Sequence, residues 1–334
     1  MHAPRCSYHD GVHGLISRRR GWILALGRAT ALRRLALGSV MANVGIVITG
    51  GAVRLTASGL GCPTWPRCTE DSFVATSEMG IHGVIEYGNR LLTGVVALIA
   101  VLGLVSAQRQ RPRRPSVTRL AAAVFAGIVT QALLGGSTVL TGLNPWLVGA
   151  HFLLSMAVIA AAYAFWRASL DLDDSLVPCV PRPLRGLVGL VIVVGAAVLV
   201  AGTLVTGSGP HAGSPTAGRN GLGAAAVAQL HADLVFLLIG LSVGTWFALR
   251  AVDARAAAVR AAWLIGLELA QGVVGVVQYV THLPVLAVGL HMAGACAVWL
   301  AILALWFATR TRVAGRVTDD GAPASIRSLA DQHT

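Results

Sequence analysis

The chain contains no lysine, and charged residues of every kind make up only 12% of its 334 positions. Soluble globular domains carry about 25%, so the scarcity of charge excludes that class. A hydrophobic content of 55% and a mean hydropathy of +0.71 indicate an integral membrane protein. The formal charge of +12 rests on arginine alone, in short clusters between long apolar runs. That pattern sets membrane topology and argues against a nucleic-acid surface. The Arg-rich first 34 residues are not followed by a short apolar core with a small-residue cleavage site, so no cleaved signal peptide is expected.

What the chain has instead is apolar length. A transmembrane helix needs roughly 20 predominantly apolar residues, and eight segments meet that need: 35–56, 83–107, 119–141, 146–169, 186–207, 224–249, 258–281 and 285–309. Arginines precede the first segment (Arg18, Arg19, Arg20, Arg28, Arg33, Arg34), fill QRQRPRRPSVTR between the second and third, recur at Arg182 and Arg185 and at Arg250, Arg255 and Arg260, and follow the eighth at Arg310, Arg312 and Arg316. Every second connection is basic, which predicts a multi-pass protein of the bacterial cell membrane with both termini in the cytoplasm.

The sequence repeats itself. QALLGGSTVLTGLNPWLVGAH, from Gln131 to His151, matches QGVVGVVQYVTHLPVLAVGLH, from Gln271 to His291, and both pairs of ends are 140 positions apart. LTASG, from Leu55, likewise resembles LVTGSG, from Leu204. The expected fold is all-α: eight transmembrane helices as two tandem four-helix bundles, related by a pseudo-twofold axis along the membrane normal. The expected organisation is an Arg-rich cytoplasmic arm (1–34), an N-terminal half (35–170) with an external Cys loop at 57–82, a linker (171–185), a C-terminal half (186–309) and a disordered tail (310–334).

Ionisable residues inside a membrane are rare and mark function, and here they fall in register. His151 and His291 are repeat equivalents, and His231 has its equivalent in the first half at Asn89. Each histidine lies roughly 8–11 Å below the outer boundary at 1.5 Å per residue. Two imidazoles on facing helices with small residues beside them (Gly289, Ala293, Gly294) suit a planar macrocycle with two axial ligands. Zinc would want further ligands, and Asp233 is the nearest carboxylate. In the first half, Glu86, Asn89 and Arg90 share one helical face. They add a carboxylate and a cation to a site with a single imidazole, an open arrangement suited to a reacting macrocycle. An ion pair between Glu86 and Arg90 is the simpler alternative.

The loop GLGCPTWPRCTEDS carries Cys62 and Cys68 in an external, oxidising location with too few further Cys or His for zinc. A disulfide is the expected resting state, with a structural staple and a redox relay both open. Its counterpart GSGPHAGSPTAGRNG has no cysteine. Cys6, Cys179 and Cys296 are expected to be unpaired.

These features together closely resemble the haem A synthase family: the duplicated eight-span pattern, LTASGLGCPTWPRC, IEYGNR, and histidines in spans four, six and eight. The resemblance covers about residues 35 to 310. It implies an oxidoreductase that oxidises a methyl group of haem O to a formyl group, giving haem A for terminal cytochrome oxidases. It implies haem b held by His231 and His291, substrate haem O held by His151, and Glu86 as the carboxylate needed for activity. It further implies work beside the haem O synthase and cytochrome oxidase assembly, with an electron acceptor left unidentified, and Cys62 and Cys68 match the family's loop pair. The family pattern E-Y-x-H-R has Asn89 in place of its histidine here, which favours His151 as the lone protein ligand. Arg54 and Arg90 are candidate partners for haem propionates, or interfacial anchors. His82, His211 and His282 are expected to be interfacial. A cytochrome b-type electron carrier that leaves its porphyrin unconverted is the competing function, and a parallel-repeat transporter is a third. Contact with membrane lipids is expected, and association into homo-oligomers is left open.

Overall fold

The computed structural model describes residues 19–170 and 176–312. The start of the expected arm, positions 171–175 of the expected linker and the tail from residue 313 lie outside the described residues. All eight expected spans are helices: α1 (Arg19–Leu55), α2 (Gly80–Gln108), α3 (Pro115–Leu140), α4 (Pro145–Leu170), α5 (Arg182–Ser208), α6 (Ala224–Ala251), α7 (Arg255–Val280) and α8 (Val285–Ala308). Each contains a segment long and apolar enough to cross a membrane, and the protein is an all-α, multi-pass membrane protein.

Local sequence explains where these helices begin. Proline opens α3 and α4, stands in the first turn of α5 and caps α8 at Pro284, where its missing N–H costs nothing. Helix α1 starts earlier than expected: its membrane-length part begins at Ala29, yet the helix reaches back to Arg19. The Arg, Ala and Leu of that stretch are all strong helix formers.

The repeat is visible in backbone geometry. The α3–α4 turn places Gly142 and Leu143 at φ 62° and 61°, and the α7–α8 turn places His282 and Leu283 at 61° and 62°. Leu143 N–H donates to Thr138 O, and Leu283 N–H to Gln278 O, at 2.8 and 2.7 Å. One copy uses glycine for the left-handed position, while the other forces a histidine into it.

Helices α1 to α4 pack in sequence and close by contact of α4 with α1; α5 to α8 do the same, and α1, α4, α5 and α8 form the seam between the two rings. The packed core lies toward the arginine-rich end, where Leu32, Val117, Phe165, Leu249, Leu264 and Leu305 are fully buried. Trp299 of α8 crosses the seam to donate its indole N–H to Met156 O at 3.0 Å. Toward the other end the interior is open.

Two expectations at the arginine-rich end change. Residues assigned to linker and tail form a small antiparallel pair, β1 (Leu176–Pro178) with β2 (Arg310–Arg312), because the chain leaving α8 runs alongside the chain approaching α5. Cys179, next to β1, was expected to be unpaired and is disulfide-bonded; Cys6 lies outside the described residues. Cys296 is free and buried, as expected.

Candidate functional site

A single cavity of about 1360 Å³ occupies the open end and is lined by all eight helices together with Trp65 and Pro66 of the Cys loop. A small-molecule pocket usually measures roughly 300–1,000 Å³, so this one has room for more than one ordinary ligand. Two separate sites were expected, one per half. Asn89 and His151 of the first half and His231 and His291 of the second all line this space.

The first-half side is built around α2. Glu86 is buried at 5% exposure. Its Oε2 accepts the Cys62 N–H at 2.7 Å and its Oε1 accepts Arg90 Nη2 at 2.6 Å. Arg90 in turn donates to the carbonyls of Cys62, Thr64 and Arg67, each at 3.0 Å. Glu86 and Arg90 thus form the ion pair that their spacing suggested, and they also grip the Cys loop. Cys62 and Cys68 are disulfide-bonded, with Cα atoms 4.4 Å apart, and both are 0% exposed. The Trp65 ring lies directly on Gly136 of α3, where a Cβ could not fit, so the loop closes over the cavity as a roof.

Asn89 lines the cavity with its Oδ1 accepting the hydroxyl of Thr49 on α1 at 2.8 Å. His151 lies against Gly135 of α3, where an added Cβ would be 3.1 Å from Cε1. Its Nδ1 is buried without a partner. Gln131 donates to His151 O at 3.0 Å and to Ser155 Oγ at 2.7 Å, leaving its own carbonyl oxygen unpaired.

The second-half side brings His231 and His291 face to face, with ring centroids 6.3 Å apart and planes at 72°. One metal bound to a nitrogen of each, at about 2 Å, needs about this separation. His231 Nδ1 lies 3.1 Å from Val198 O; donation to that carbonyl fixes the tautomer with Nε2 as the free lone pair, the usual support of a metal-binding imidazole. Gly202 and Gly275 flank the two rings. Among the described residues no group of three or more His, Cys, Asp or Glu gathers anywhere, so the pair cannot complete a tetrahedral zinc site. Two imidazoles facing across a large, mainly apolar space fit a metal whose other ligands come from a macrocycle.

Arg54 also lines the cavity, but it is committed across the seam: Nε donates to His211 O at 2.6 Å and Nη2 to Thr206 O at 2.9 Å. His211 contacts Leu283 O at 2.9 Å, His82 pairs with Ser58 Oγ at 2.9 Å, and His282 is exposed in its turn. Sequence reasoning missed Glu268 on α7, a cavity-lining carboxylate only 3% exposed. A lone acid inside the span 258–281 was the available signal.

A protein-family model described as cytochrome oxidase assembly protein (COX15-CtaA) matches residues 33–216. The chain belongs to this family. Among curated relatives, a heme A synthase of Alkalihalophilus pseudofirmus is 29% identical over 179 residues, 52% of this chain and 60% of the relative. A heme A synthase of Shouchella clausii is 28% identical over 180 residues, 52% of this chain and 58% of that one. A third, from Lysinibacillus sphaericus, is 31% identical over 139 residues, covering 40% and 45%. The matched stretch spans less than two thirds of the length of these relatives. The family match contains Glu86, Asn89 and His151 and ends before His231 and His291, so the second histidine pair rests on its own geometry.

Proposed function

We propose that the protein is a haem A synthase, an oxidoreductase that converts a methyl group of haem O to the formyl group of haem A for terminal cytochrome oxidases. The observation that carries this reading is the facing pair His231 and His291, with ring centroids 6.3 Å apart, lining the same cavity as His151 and Glu86. The relatives' names supply the substrate. The haem O synthase is the natural supplier, and both termini with the arginine-rich end face the cytoplasm while the Cys loop lies outside.

In this reading His231 and His291 hold haem b, and haem b supplies one-electron exchange when bound. His151 binds the iron of substrate haem O, and Asn89 stands where a second ligand would otherwise come. Arg54 has Nη1 left for a propionate, since its Nε and Nη2 are engaged. Arg90 is more heavily committed and offers a propionate its charge more than its donors. Glu86 handles the proton at the reacting edge: Oε1 stays with Arg90, and Oε2, which accepts the Cys62 N–H, has a second lone pair that can take the proton. The roof of Trp65 and Pro66 keeps water from that edge. The two halves act as tandem four-helix domains about a pseudo-twofold axis, one reacting and one exchanging electrons.

The test is expression in a host that makes haem O but not haem A, followed by pigment extraction and chromatography. Haem A is expected in the extract. A folded, haem-containing protein that yields neither haem A nor an oxidised precursor would refute the synthase reading and leave a cytochrome b-type carrier in its place.

A further inference from the structure

Glu268 sits on the stripe of α7 that faces the cavity, with Gln271 and Gly275 one and two turns beyond it. Gly275 contacts the His291 ring, so Glu268 lies about 10 Å from that level along the helix. Its Oε1 accepts the Ser242 hydroxyl at 2.8 Å. Its Oε2 is buried and has no partner. One turn further along α6, Thr245 is 0% exposed and its hydroxyl too is unpaired. A carboxylate kept only to join α6 to α7 would have both oxygens satisfied. This one leaves an oxygen unsatisfied, on the wall of the cavity.

We propose that Glu268 is the proton-binding partner of the iron held between His231 and His291, a role that rests on the haem reading above. When a one-electron donor of the quinol class reduces the ferric iron to ferrous, the Glu268 carboxylate takes up one proton from water by way of the cavity that it lines. One electron and one proton enter together, so the site's net charge is unchanged; oxidation reverses both. The other ionisable groups on the helices packed around it do not compete. His231 and His291 are occupied by the metal. Asp233 and Arg250 on α6 are exposed, as are Arg255, Arg260 and Tyr279 on α7 itself, and Cys296 on α8 is sealed in the apolar core.

The experiment is a spectroelectrochemical titration of the purified haem-loaded protein at several pH values, with reduced-minus-oxidised infrared spectra of the same samples. In the wild type the potential is expected to fall by about 59 mV per tenfold drop in proton activity, the value for one proton per electron. A protonated-carboxyl band is expected to accompany reduction. Glu268→Gln is expected to bind haem with an unchanged low-spin spectrum, to lose the pH dependence and to lose the band. An E268Q slope equal to that of the wild type, or a wild type with no slope, overturns the proposal. If E268Q does not accumulate, S242A decides: the band shifts in frequency if Glu268 carries it, and a band that stays in place assigns the proton elsewhere and overturns the proposal. A wild type that lacks a bis-imidazole spectrum overturns the haem reading and this inference together, whereas failure of the inference alone leaves that spectrum intact.

Discussion

Replacing Glu86 with alanine deletes the acceptor that holds the Cys62 N–H of the Cys loop to α2 at 2.7 Å, together with the 2.6 Å bond to Arg90 within α2. Hydrogen bonds to a charged group contribute roughly 1.5–3 kcal/mol each. Arg90 would keep the carbonyls of Cys62, Thr64 and Arg67, so its charge is not stranded and the low end of the range applies. Only the Cys62 bond is broken when the loop opens, so the loss is about 1.5 kcal/mol, on the order of tenfold in the local opening equilibrium of the loop. The disulfide stays intact, so the effect is local. Amide hydrogen exchange in detergent or nanodiscs reads it directly: amides of residues 61–68 are expected to exchange about tenfold faster, with those of α6 to α8 unchanged. Glu86→Gln keeps one carbonyl acceptor and is expected to fall between wild type and E86A. Unchanged exchange in E86A would refute the claim that this carboxylate anchors the roof, and any loss of turnover would then belong to chemistry alone.

Four further outcomes are expected. His231→Ala and His291→Ala should each abolish the low-spin haem b spectrum, and retention of the full spectrum in either would remove that residue from the ligand pair. Asn89→His should give substrate haem a second imidazole, read as a shift toward a low-spin spectrum on adding haem O, at the cost of the bond from Thr49. The double change Cys62→Ser and Cys68→Ser should lower the thermal melting point, a disulfide being worth typically about 2–4 kcal/mol, while turnover per folded molecule persists because both sulfurs are buried. Turnover lost from a stably folded double variant would support a redox relay. At the paired turns, His282→Gly should stabilise by about 0.5 kcal/mol and Gly142→Ala destabilise by about 1 kcal/mol in thermal unfolding, since only glycine holds a positive φ without strain.

Much of the architecture was legible because a membrane makes it so. Backbone groups in hydrocarbon must pair within a helix, so eight apolar runs become eight helices, and Pro115, Pro145 and Pro284 mark starts that sequence can read. The 140-residue repeat put His151 and His291 in equivalent places, and the turns that precede them share dihedral angles. The pairing of Glu86 with Arg90 followed from their spacing. What stayed hidden depends on distances between segments far apart in sequence. Nothing local shows that Arg90 would spend its donors on the carbonyls of Cys62, Thr64 and Arg67, or that Arg54 would reach Thr206 and His211 in the other half. Glu268 could have been singled out by its cost in a membrane, but its unpaired oxygen and its bond to Ser242 emerge only when α6 and α7 are placed together.

The stitching at the Cys-loop end bears on how the protein could be taken apart. Gly59 N–H donates to Gly213 O at 2.9 Å, and a Cβ on Gly59 would lie 3.1 Å from that same oxygen, while Arg54 occupies the carbonyls of Thr206 and His211. Cutting the chain between α4 and α5 and making the halves as separate polypeptides would leave three carbonyls of the second half bare at the membrane surface until the first half docked. Co-produced fragments should therefore find each other and reassemble, whereas the second-half fragment alone would lack the roof of Trp65 and Pro66.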